Sequence, residues 1–168
     1  VLKLNSDGSL AWQKTFGGNG YDYARSVKQT TDGGYIVAGY TGSFGFGDYV
    51  LKLNRDGSLA WQKTYGGIWN DEAYSIQQTT DGGYIVAGYT ESFGSGGRDV
   101  YIVKLNSDGS LAWQKAYGGS GSDWASSIQQ TTDGGYIVAG TTYSFGNASY
   151  CDAYILKLDS NGELHPFE

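Results

Sequence analysis

At 168 residues the chain is long enough to bury a single-domain core, and its 39% hydrophobic and 15% aromatic content is enough to fill one. A formal charge of −6, with the acids dispersed and no basic block, excludes the phosphate-facing surface that nucleic acid requires. No apolar run approaches the roughly 20 residues of a membrane-spanning helix, and Lys3 interrupts any signal-like start, so the chain reads as soluble.

Val1 opens inside a strand pattern without a Met, which reads as a piece processed or excised from a longer chain. Val1 to Leu4 is followed by an Asp-Gly turn, and Trp12 lies in the next strand. From there the chain repeats. DGGYIVAG stands unchanged at 32–39, 81–88 and 133–140, and Trp12, Trp61 and Trp113 are separated by 49 and 52 residues, a period that marks a closed repeat fold. The repeat starting at Gly83 predicts four strands: Tyr84 to Thr90, Val100 to Leu105, Leu111 to Tyr117 and Ala125 to Thr131. Counted through the chain, three strands, two full units and two final strands make thirteen. The expected partition is a partial unit at 1–32, units at 33–81 and 82–133, and a partial unit at 134–168. After Leu158 the pattern gives way to Gly162 to Glu168, with the only Pro and the only His.

The connections are of two kinds. Asn-x-Asp-Gly-Ser turns (Asn54 to Ser58, Asn106 to Ser110) and Thr-Asp-Gly-Gly turns (Thr80 to Gly83, Thr132 to Gly135) supply the positive φ of tight hairpins. The others are longer: a Ser-Phe-Gly loop (Glu91 to Asp99), and a Gly-Gly pair followed by three variable residues. Because antiparallel strands reverse direction, the tight turns belong to one face of the unit and the long loops to the other. One face is plain and one is elaborated.

The succession Gly66 to Ala73, Asp81 to Thr90, Ser-Phe-Gly, Asp99 to Leu105 and Asp-Gly-Ser-Leu-x-Trp resembles the SBBP-type β-propeller repeat of bacterial and archaeal secreted or surface proteins. The resemblance covers essentially the whole chain and implies an all-β propeller of four-stranded antiparallel blades, an adhesive or structural role and an extracellular or cell-surface location. It also implies about seven blades, where this chain offers about three and a third. The small pair Ala87-Gly88 fits a strand beside the axis, and Trp61 a wedge between blades. A β-trefoil also has three four-stranded repeats, and an open solenoid is a further alternative. Three blades would have to turn about 120° each, while propellers typically have four to eight. The expected partner is therefore a second copy, giving a homodimer with a six-bladed ring; the alternative is a fragment of a longer propeller.

Chemistry is sparse. His165 has no partner motif, and Cys151 alone makes neither a disulfide nor a zinc site. The Gly-Gly pairs are not phosphate loops, since no helix pattern follows. Asp7, Asp56 and Asp108 read as turn residues too poor in carboxylates for a calcium loop. No catalytic residue, metal or cofactor is expected. Lys52, Lys104 and Lys157 read as snorkelling or paired with a carboxylate. Asp22, Asp71 and Asp123, four residues after each glycine pair, either cap their own loops or form a ring of acceptors for sugar hydroxyls or a cation. The same loop carries Asn19-Gly20-Tyr21, Ile68-Trp69-Asn70 and Ser120-Gly121-Ser122, so variation gathers on the elaborated face. Candidate ligand-binding residues are Asp22, Asp71, Asp123, Tyr21, Trp69, Asn70, Phe46 and Tyr143, with Tyr150 a further exposed aromatic. Asn147-Ala148-Ser149 matches a glycosylation sequon without a context that gives it meaning. The function expected is a non-catalytic binding or scaffold module that meets a protein through its long-loop face. A multivalent lectin is the alternative, and a glycoside-processing enzyme a remoter one.

Overall fold

A computed structural model describes residues 1–146 and 150–164. His165 and the sequon Asn147-Ala148-Ser149 lie outside the described residues. Thirteen strands are present among those described: β1 (Leu2–Leu4), β2 (Leu10–Gln13), β3 (Asp22–Gln29), β4 (Tyr35–Thr41), β5 (Gly47–Leu53), β6 (Leu59–Tyr65), β7 (Asp71–Gln78), β8 (Tyr84–Thr90), β9 (Asp99–Leu105), β10 (Leu111–Tyr117), β11 (Asp123–Gln130), β12 (Tyr136–Thr142) and β13 (Asp152–Leu158). They form four antiparallel sheets in simple up-and-down order: β1-β2, β3-β4-β5-β6, β7-β8-β9-β10 and β11-β12-β13. These are separate open sheets, which sets aside the trefoil, a fold built around a closed barrel.

The sheet boundaries differ from those expected. The expected units meet at the Thr-Asp-Gly-Gly turn, but β3-β4, β7-β8 and β11-β12 are hydrogen-bonded across it. A tight hairpin holds both of its strands in one sheet. The sheets therefore span 22–65, 71–117 and 123–158, and the chain changes sheet at the glycine pairs.

This moves DGGYIVAG away from the inner wall. β4, β8 and β12 are the second strands of their sheets, whereas the first strands β3, β7 and β11 approach one another at the centre. The invariant glycine has another cause. Each first strand bulges after its Ala (Ala24, Ala73, Ala125), and the bulge brings a main-chain carbonyl across the second strand. A Cβ on Gly39, Gly88 or Gly140 would stand 1.8, 1.9 or 2.0 Å from the carbonyl oxygen of Tyr23, Glu72 or Trp124. Only glycine fits.

The cores lie between successive sheets. Ile36, Ala38 and Val50 face Ala73, Ile76 and Val86; Ile85, Ala87 and Ile102 face Ala125, Ile128 and Val138. The three tryptophans of the Leu-Ala-Trp-Gln strands reach the following sheet, as expected of Trp61: Trp12, Trp61 and Trp113 meet Tyr35, Tyr84 and Tyr136 edge-on at 5.6, 5.9 and 5.9 Å.

The lysines close the plain face. Lys52, Lys104 and Lys157 reach Asp32, Asp81 and Asp133 at 2.8, 2.8 and 2.7 Å. For Asp81, burial pushes the carboxyl up, but hydrogen bonds from Lys104, Thr79 and Gly83 outweigh it and hold it at about 2. A lowered native value stabilises the fold above the ordinary aspartate value of about 4, and that contribution fades as pH falls towards the native one. Thermal midpoints of Asp81→Asn are therefore expected below those of the unmodified chain near pH 6 and converging with them near pH 2, as scanning calorimetry across that range would show.

Candidate functional site

The long loops gather on one side, and the three aspartates build them. Asp71 accepts hydrogen bonds from the Gly67 amide and from the hydroxyls of Thr90 and Ser92. Asp22 does the same with Gly18, Thr41 and Ser43, and Asp123 with Gly119 and Ser144. Asp71 and Asp123 are wholly buried. Each therefore ties the crossover into its sheet to the loop between the second and third strands. In Asp22 and Asp123, burial pushes the carboxyl up and the hydroxyl and amide donors bring it below the ordinary value. A ligand cannot reach the acceptors of Asp71 and Asp123, so these residues cap their own loops and make no ring of open sites. Among the described residues, no group of three or more His, Cys, Asp or Glu is placed to hold a metal ion.

The aromatic candidates divide. Phe46 is exposed on the loop between β4 and β5 and borders the outer crossover at Thr64 to Gly67. Tyr21 is exposed but stacks on Tyr23 at 6.3 Å, and Tyr23 in turn on Tyr40 at 6.0 Å. Tyr143 packs on Trp124 at 5.9 Å. Trp69 stands out with its ring exposed; with Glu91, Arg98 and Ser122 it lines a cleft of about 340 Å³. Asn70 donates to Glu91 at 3.2 Å, and Glu91 accepts from Arg98 Nε at 2.9 Å. The Arg98 guanidinium lies 4.2 Å from the centre of the Tyr89 ring.

The centre of this face was not among the sequence candidates. Register skips Arg25, Tyr74 and Ser126, the bulged residues of β3, β7 and β11. With Trp124 they line a second cleft, of about 350 Å³. A bulge re-aims its side chain out of the sheet's alternation. Arg25 lies 5.4 and 5.7 Å from the ring centres of Tyr23 and Tyr74 and donates to Glu72 at 2.7 Å. Tyr74 and Tyr89 also donate to Glu72, at 3.3 and 3.4 Å. Burial first, then the Glu72 charge, raises the Tyr74 hydroxyl, which stays a neutral donor at physiological pH. The signal was present in the sequence as Ala-x-Ser: Ala24-Arg25-Ser26, Ala73-Tyr74-Ser75 and Ala125-Ser126-Ser127 vary only at the bulge.

The comparisons bear on fold alone. A model of a β-propeller domain of unknown function (DUF5122) matches residues 79–111. A crystal structure of a protein of unknown function from Bacteroides caccae is similar over 96% of this chain and 51% of its own, at 16% identity and a TM-score of 0.61. The fold is a β-propeller. Its sheets are blades, β3, β7 and β11 their innermost strands, and the Arg25 cleft is axial. The Pan2 WD40 domain from Neurospora crassa matches over 84% of this chain and 64% of its own, at 10% identity and a TM-score of 0.37. No curated protein matches the sequence. The propeller described here spans about half the length of the Bacteroides caccae protein.

Proposed function

We propose that this propeller is a non-catalytic binding module that holds a segment of a partner protein against the axial end of its long-loop face. The observation that carries the reading is the failure of the repeat along the innermost strands, at the positions that border the axial cleft. Turns and loop clamps recur from blade to blade, while the cleft is lined by Arg25, Tyr74, Ser126 and Trp124, with Tyr23 and Glu72, the counterparts of Trp124, in contact with Arg25. Such a surface offers one composite site in place of several equal ones, which favours a protein segment over a multivalent lectin. Its chemistry agrees: Tyr, Trp and Arg are the residues enriched at interface hot spots, and Arg25 and Arg98 are already oriented by carboxylates and rings. The resemblance to SBBP-type repeats supports placing the module outside the cell or on its surface as part of a larger scaffold.

Selection from a displayed random-peptide library, followed by calorimetric titration of the winners, tests this. Binding is expected to weaken at least about 10-fold in Arg25→Ala and in Tyr74→Ala, as for hot-spot truncations, with Lys28→Ala unchanged. Peptides that bind all three variants alike, or a glycan that binds where no peptide does, would sink the reading.

A further inference from the structure

The two ends of the blade series carry matching faces. Val27, Ile76 and Ile128 occupy the same place in the innermost strands; Ile76 and Ile128 are 0% and 5% exposed against the preceding blade, whereas Val27 is 52% exposed. At the opposite end, Val50 and Ile102 are each 0% exposed against the following blade, and their counterpart Ile155 in β13 is 54% exposed. Ile137 and Ala139 are likewise less buried than Ile36, Ile85, Ala38 and Ala87. The first face therefore belongs to the side of a blade that receives its predecessor, and the last to the side that receives its successor. Both occur, already joined, between β3–β6 and β7–β10 and again between β7–β10 and β11–β13. The strands at the ends are complementary in the same sense. β11-β12-β13 has three strands among the described residues, and β2 carries the Leu-Ala-Trp-Gln sequence that is the fourth strand, β6 or β10, elsewhere. Among the described residues, β2 pairs with the three-residue β1 alone.

We propose that the two end faces bind each other between two copies of this chain, closing a six-bladed ring in which β2 of each copy becomes the fourth strand beside β13 of the other. The face expected to form is the interblade interface that the chain already makes twice, so its occupant is a further copy of the same surface. Where the third strand is supplied twice, β13 prevails over β1. It pairs with β12 at seven positions, and β1 with β2 at three. Register follows from the internal copies: Val50 faces Lys63 and Ile102 faces Lys115, so Ile155 faces Lys14 of the second copy. Tyr49 and Tyr101 donate to Gln62 and Gln114 at 2.8 and 2.7 Å across the same strand pair. Tyr154 then donates to Gln13 of the second copy. Six blades lie within the four to eight that propellers typically use, and the relation is a two-fold about the ring axis.

Light scattering on the chain at micromolar concentration is expected to give twice the chain mass. Val27→Glu and Ile155→Glu, each at a position already exposed in one copy, are expected to give single-chain mass with an unchanged far-ultraviolet circular dichroism spectrum. In a Cys151→Ser background, Lys14→Cys with Ile155→Cys is expected to form a crosslink between two chains under mild oxidation. Three results overturn the proposal: single-chain mass for the unmodified chain, which would leave the faces to other repeats of a longer polypeptide; a ladder of higher masses, which would mean open association; or a dimer that survives both charge variants without crosslinking.

Discussion

Replacing Asp48 by Val raises stability at neutral pH by about 2–3 kcal/mol, a gain of the order seen when buried charges give way to packed apolar residues, and lifts the thermal midpoint by roughly 5–10 °C for a chain of this size. Asp48 is 0% exposed, and neither carboxylate oxygen finds a hydrogen-bond partner among the described residues. Burial first, then the charges of Asp71 and Glu72, push its carboxyl well above the ordinary range. The internal repeat shows what the position accepts: Asp48 pairs with Tyr40 as Val100 pairs with Tyr89, and Val100 is 1% exposed within the next interblade core. The sign of the pH dependence follows. A carboxyl whose native value is raised favours the fold only when protonated, so its contribution is intact below the ordinary value of about 4 and is lost as pH rises. The advantage of Asp48→Val, and of Asp48→Asn, is thus expected to be small near pH 4 and to grow by up to about 1.4 kcal/mol per pH unit until the native carboxyl ionises. Denaturant midpoints at several pH values read this directly. A variant no more stable than the unmodified chain at pH 7 would mean that Asp48 has a partner this account lacks.

Gly88→Ala is the opposite case and is expected to cost at least about 3 kcal/mol, towards the exceptional end of single substitutions. The added Cβ meets the Glu72 carbonyl oxygen at 1.9 Å and the Ala73 Cα at 2.9 Å, both main-chain atoms that no rotamer can move. Relief requires the bulge of β7 to shift, and with it Tyr74. A far-ultraviolet melt would show the loss. A variant within about 1 kcal/mol of the unmodified chain, the centre of the range for single substitutions, would remove the steric account of the motif.

The strands, turns and elaborated face were legible in the sequence because period-2 runs and Asp-Gly turns are local. The phase of the blade was not: the Thr-Asp-Gly-Gly turn reads as a tight hairpin, but nothing local marks the longer glycine-pair connection as the one that passes between sheets, and placing the junction at the hairpin carried DGGYIVAG to the axis. Asp48 was hidden by one residue of spacing. Asp99-Val100-Tyr101 and Asp48-Tyr49 read as one motif, but losing a residue turns a strand side chain to the other face. The site was half legible. Exposure of Trp69 and Tyr21 followed from loop length, whereas the roles of Arg25, Tyr74 and Glu72 depend on bulges and on packing between blades that no single repeat contains. The aspartates were visible as a series, and only their hydrogen bonds assign them to loop clamping.

The turns and loop clamps repeat from blade to blade, while the residues around the axial cleft, the proposed binding surface, do not. Amide chemical-shift mapping with a selected peptide tests this contrast most directly. Perturbations are expected to centre on Tyr23, Arg25, Glu72, Tyr74 and Trp124 and to fade towards the outer strands. Equal perturbations at the three equivalent crossovers, 17–21, 66–70 and 118–122, would contradict it.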